Sequence, residues 1–143
     1  MDISNPVIKY CMDGSKAELE KNLIEAELFY KKSWEISGDN YDKSVAEHYV
    51  ARVQKNIQDI FKWNEIALTH AELSNSQDVK EIYPSLYLNM GNSCEDIKDY
   101  KKALDYYNLD IKSIKDSSEG SLGEMIKNKF QEKINRINSN QLY

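Results

Sequence analysis

The feature that most constrains how this chain folds is a spacing that occurs twice. Gly14 and Ala26 stand twelve residues apart, and so do Gly91 and Ala103. Related residues recur at the same offsets: Tyr10, Gly14, Ala17, Ala26 and Tyr30 in one copy, Tyr87, Gly91, Cys94, Ala103 and Tyr107 in the other. Helices cross closely where side chains are small, so a small residue on each of two amphipathic segments joined by a polar turn specifies a tight antiparallel hairpin. Two copies of one pattern carry more weight than either alone. The 77 residues from Gly14 to Gly91 leave room for one more hairpin between them.

The rest of the chain reads as helices in order. Asn5-Pro6 starts the first, since Asn caps and Pro lacks an N–H that the first turn does not need; it runs from about Pro6 to Glu20. The second, about Asn22 to Ser37, carries Leu23, Ala26, Tyr30 and Trp34 at helical spacing and stops at Gly38. The middle hairpin takes about Asp42 to Gln54, with Val45, Tyr49, Val50 and Val53 on one face. Its second helix, about Ile57 to Leu73, is capped by Asn56 and shows a stripe of Ile57, Ile60, Phe61, Asn64, Ala67, Leu68 and Ala71. This hairpin is degenerate, with His48 near the Gly place. Ser74 and Gln77 have capping-box spacing, so the next helix starts near Gln77 and is kinked by Pro84, or starts at Tyr83. After the loop KDSSEGSLG, Ser121 and Glu124 repeat the capping-box pattern. The helix they open has Leu122, Met125, Ile126, Phe130, Ile134 and Ile137 on one side. A terminal helix with one polar side covers the end of a stack, so Ser121 to Ile137 is assigned that role, with a mobile tail NSNQLY.

Composition bounds the function. A net charge of −5 argues against nucleic acid as a partner, because phosphate binding needs a concentrated basic face. No apolar run approaches the ~20 residues that span a membrane, and MDISNPVIKYCMDG lacks the pattern of a signal peptide. Cys11 and Cys94 make no disulfide framework and read as reduced thiols of a cytoplasmic protein. His48, His70 and the two cysteines match no metal spacing, no phosphate-binding or dinucleotide glycine loop is present, and no nucleophile has a recognisable setting. The expectation is no enzyme, no cofactor, no metal and no catalytic residues.

The stretch YPSLYLNMGNSCEDIKDYKKALDYY, with Tyr87, Met90, Gly91, Cys94, Ala103 and Tyr107, resembles the tetratricopeptide (TPR) repeat. The resemblance covers about Val7 to Ile114. Cys94 stands where the family has an aromatic, Lys115 where it often has Pro, and Asp13 holds the large-apolar place in the first copy. The chain also resembles small stand-alone bacterial members of the family, which adds no activity. The resemblance implies one all-α domain over 1–143, an α-α superhelix of three TPR-like hairpins (about 7–40, 41–76 and 77–117) with a C-terminal capping helix (about 121–137).

It also implies a protein- or peptide-binding scaffold, in which the first helix of each hairpin lines a concave groove. By position the first hairpin offers Ile8, Cys11, Ser15 and Glu18, the middle one Val45, Tyr49 and Arg52, and the third Ser85, Leu88, Asn89, Asn92 and Glu95. The peptide-binding set is Ser15, Glu18, Tyr49, Arg52, Leu88, Asn89, Asn92 and Glu95. Family members that grip a peptide's terminal carboxylate have Asn at the place of Asn92 and Lys at that of Leu88; this chain has only the Asn. Of nineteen basic residues only Arg52 and Arg136 are Arg, which hints that a planar fork is wanted for a carboxylate or an aromatic face; the plainer role for Arg52 is an ion pair with a neighbouring hairpin. Two alternatives stand beside the scaffold. One is self-assembly into a homo-oligomer through the apolar side of the last helix. The other is a small-ligand pocket or enzyme in the degenerate middle hairpin, with His48, Trp63 and Asn64 as its polar lining and Arg52 beside them.

Overall fold

A computed structural model describes residues 2–117 and 121–141, with side chains placed for 2–113 and 128–139. The fold is all-α. Its helices are α1 (Pro6–Leu19), α2 (Leu23–Ile36), α3 (Asn40–Arg52), α4 (Ile57–Leu73), α5 (Tyr83–Asp96), α6 (Tyr100–Ser117) and α7 (Ser121–Gln141). The pairs α1–α2, α3–α4 and α5–α6 pack as antiparallel hairpins, as the sequence predicts. The chain divides into two compact units, Met1–Val79 and Lys80–Tyr143.

In the first unit, Asn5, Asn22, Asp39 and Asn56 each accept a backbone N–H at the start of a helix. The α1–α2 turn is a Schellman motif: Lys21 takes φ 61°, its N–H reaches Glu18 O, and Asn22 N–H reaches Ala17 O. Gly14 meets Tyr30 face to face. A Cβ on Gly14 would lie 2.3 Å from a Tyr30 ring carbon, so the ring takes the space that any side chain would fill. Ala17, Ala26, Tyr30 and Val50 form the core beside it, with Phe29, Tyr49, Val53 and Trp63 packed against them. Helix α3 lies against both α1 and α2.

The second unit repeats this construction. Lys98 takes φ 65°, and Lys98 and Asp99 donate to Glu95 O and Cys94 O in a second Schellman motif. Gly91 seats Tyr107 as Gly14 seats Tyr30, with a Cβ placed 2.4 Å from the ring. Phe130, Ile134 and Ile137 bury the inner side of α7, which packs on α6.

Five details differ from the sequence reading. Gln77–Glu81 is a 3₁₀ turn, and the third hairpin's first helix starts at Tyr83, the second of the two starts that the sequence offers. Pro84 then falls within the first turn of α5, where its missing N–H is an orphan anyway, so there is no kink. Helix α7 continues to Gln141, past the expected end at Ile137 and into the expected tail. Leu23 and Trp34 are exposed rather than part of the buried stripe of α2. The expected loop KDSSEGSLG is helical at 115–117, the end of α6, and again from Ser121, the start of α7, while residues 118–120 and the side chains of Leu122, Met125 and Ile126 lie outside the described residues.

Candidate functional site

The polar residues four positions after each glycine organise the inner helices. Glu18 follows Gly14 on α1. Thirty-four residues on, Arg52 holds the corresponding place on α3, four positions after His48. Arg52 Nε donates to Glu18 Oε1 at 2.9 Å, and Nη2 donates to Oε2 at 3.1 Å. The Tyr30 hydroxyl donates to the same carboxylate, and Ser15 Oγ lies 3.4 Å from Tyr30 Oη. The second unit has the same device. Arg136 Nη2 on α7 lies 2.9 and 2.8 Å from the two oxygens of Glu95. The Tyr107 hydroxyl lies 2.7 Å from Asn92 Oδ1 and 3.0 Å from Glu95 Oε1, with its one proton shared between the two acceptors. At one register position the successive inner helices therefore read Glu, Arg, Glu, Arg, and each Arg closes a clasp on the carboxylate of the Glu-bearing helix in its own unit.

The electrostatics follow. Arg52 holds the Glu18 carboxyl below its usual range. Burial, reinforced by the acceptor carboxylates, pushes the hydroxyls of Tyr30 and Tyr107 above theirs, so both remain donors. The Arg52–Glu18 pair is half open to water, with the Arg52 side chain 49% exposed, and such pairs contribute little. Arg52→Ala is expected to cost about 0.5–1 kcal/mol in urea denaturation at low salt, with the difference shrinking in 0.5 M salt.

The groove residues fall into three groups. Ser15, Glu18, Tyr49 and Arg52 reach solvent on the first unit, with Glu18 and Arg52 engaged with each other. Leu88, Asn89, Asn92 and Glu95 are partly accessible on the second unit, with Glu95 held by Arg136. Ile8, Cys11 and Val45 are buried and present nothing to a ligand. Burial also pushes the Cys11 thiol up to about 11, which leaves it unreactive.

The middle hairpin replaces the Gly–Tyr seat by its converse. His48 stands at the Gly place and Asn64 at the Tyr place, a large residue for the small one and a smaller one for the large. Asn64 is buried, and Trp63 packs edge-on against Trp34 with ring centroids 5.6 Å apart. His48 lies beside Tyr49, and burial, aided by the Arg52 charge, lowers its pKa to about 4, so it is neutral near pH 7.

Sequence reasoning missed two buried carboxyls. Glu47 on α3 is 3% exposed and lies 2.6 Å from His70 Nδ1 on α4. Burial raises its pKa, while His70 and the Trp34 indole oppose the rise as hydrogen-bond partners. Asp110 on α6 is fully buried, and burial lifts its pKa to about 7 against the opposing pull of a side-chain hydrogen bond with Ser113. Among the described residues no group of His, Cys, Asp and Glu side chains has the makings of a metal site, and no helix is long and apolar enough to cross a membrane.

No family model, curated protein or solved structure matches the chain. The site is therefore judged on its own chemistry. Lys133 is its most informative group. Its ammonium lies 3.5 Å from Asn92 Oδ1 and 5.7 Å from the centroid of the Tyr107 ring. Arg136, one turn on, is paired with Glu95; Lys133 has no carboxylate partner among the described residues.

Proposed function

We propose that the chain is a helical-repeat interaction module of the tetratricopeptide type, and that the α5–α7 face of its second unit holds an acidic peptide segment. The observation that carries this reading is the positioned ammonium of Lys133. An amide oxygen and an aromatic ring fix it in place, and it is left available to a carboxylate. The cation absent at Leu88 is supplied from α7. Asn92 stands beside it, and Arg136 keeps donors beyond those given to Glu95.

On this reading α7 ends the stack. Aligning Arg136 with Arg52 places Phe130 and Ile134 at the positions of Ala46 and Val50, and all four are buried. Asn128, Gln131 and Asn135 fall where α3 has Ser44, Glu47 and Ala51. The α3 residues are buried; the α7 residues are polar and exposed, as suits a helix with no partner on that side.

The test is fluorescence anisotropy with labelled short peptides, one rich in Asp and Glu and one rich in Lys. Saturable binding of the acidic peptide is expected, weakening as salt rises, with about a tenfold loss of affinity in Lys133→Ala and none in Arg52→Ala. Equal binding of the Lys-rich peptide, no saturable binding, or an unchanged Lys133→Ala would contradict it.

A further inference from the structure

A cleft of about 420 Å³ in the first unit is lined by Trp34, Glu35, Ser37, Lys43, Glu47 and His70. None of these belongs to the peptide-binding face. Glu47 organises the cleft from beneath, holding the Trp34 indole and the His70 imidazole together. As the carboxylate accepts from both, His70 donates through Nδ1 and its Nε2 is left for the cleft. Lys43 stands close enough to Glu47 to stabilise its charge.

The fold does not require this arrangement. The place of Glu47 is taken in the other hairpins by Asp13, which is partly exposed, and by Met90, which is buried. The place of Trp34 is taken by Leu68 and Ile111, and that of His70 by Ile36 and Ser113. A buried carboxylate carries a desolvation cost that an apolar residue at the same position avoids. Here that cost fixes two rings whose outer parts remain accessible: Trp34 is 42% exposed and the His70 side chain 25%.

We propose that this cleft binds a small planar monocarboxylate, an aromatic acid, with its ring on Trp34 and its carboxylate on Lys43. The volume lies in the range of small-molecule sites, and an apolar platform with a few convergent polar groups is their usual lining. With Glu47 already engaged, the donor facing the cleft is the Lys43 ammonium. Glu35 on the rim disfavours a second negative charge on the ligand.

The experiment titrates the full chain with benzoate, benzylamine and benzyl alcohol, following tryptophan fluorescence and the His70 imidazole resonances. Benzoate is expected to saturate while the other two do not, with about a tenfold loss of affinity in Lys43→Ala. Because His70→Ala would strand a buried carboxylate, the half-buried Lys43 is the variant that decides, with circular dichroism confirming its helix content. Benzylamine or benzyl alcohol binding as well as benzoate would overturn the proposal, as would no saturable benzoate binding or an unchanged Lys43→Ala.

Discussion

Gly14→Ala is expected to destabilise the first unit by about 1 kcal/mol net, although Ala is the better helix former by about 1 kcal/mol. The new Cβ would stand 2.3 Å from the Tyr30 ring. The ring is fully buried, and its hydroxyl is tied to Glu18, so it has no inexpensive way to withdraw. Overpacking of this kind costs typically 1–3 kcal/mol and here outweighs the propensity gain. The sign is therefore conditional on Tyr30. In a Tyr30→Ala background, where the seat is empty, Gly14→Ala should stabilise by up to about 1 kcal/mol. Denaturant unfolding of the four proteins of this cycle checks it. A Gly14→Ala effect of the same sign and size in both backgrounds would mean that the ring contact does not set the approach of α1 and α2. Gly91 and Tyr107 should behave alike, with a Cβ placed 2.4 Å from the ring.

Asp110 should make the second unit less stable as pH rises from about 4 to 7. Burial lifts its folded pKa to about 7 from an ordinary carboxyl value of 3.8. Below both values the group is protonated in either state and contributes no difference. Between them the unfolded chain releases its proton while the folded chain keeps it, so stability falls with pH; above about 7 it levels off. The shift corresponds to about 4 kcal/mol over that window. Glu18 in the first unit works in the opposite direction. Its lowered pKa gives stability that is present above the unfolded value and lost as pH falls through the folded one. The Asp110 contribution is isolated by difference. The equivalent positions hold Ser33, which donates to Val7 O, and Ala67, both fully buried, so the hairpin accepts either residue. Asp110→Ala should be more stable than wild type at pH 8 by about 3–4 kcal/mol and near equal at pH 4. A difference that does not vary with pH would remove the buried carboxyl from the account.

The hairpins were legible because their determinants are local. Gly14, Gly91, Ala26 and Ala103 mark close approaches within single hairpins, and Asn5, Asn22 and Asn56 cap their helices from the adjacent residue. Arg52 makes the plainer of its two expected contacts, an ion pair with a neighbouring hairpin. That the carboxylate is Glu18, however, depends on how one hairpin is set against the next, which periodicity along one helix does not encode. The Trp34–Glu47–His70 cluster was hidden for the same reason, as its members lie on three helices. A signal was nonetheless available: polar or aromatic residues stand there where the other hairpins place Leu68, Met90 and Ile36. The Ile8, Cys11 and Val45 assignments failed because a helix position that points inward can end in the core as readily as at a groove.

The most direct test of the functional account is a heteronuclear NMR titration of the labelled chain with the acidic peptide. Shift changes gathered on Asn89, Asn92, Glu95, Lys133 and Arg136, and absent from Lys133→Ala, are the predicted result. Changes confined to the first unit, or spectra that do not respond to the peptide, would contradict it.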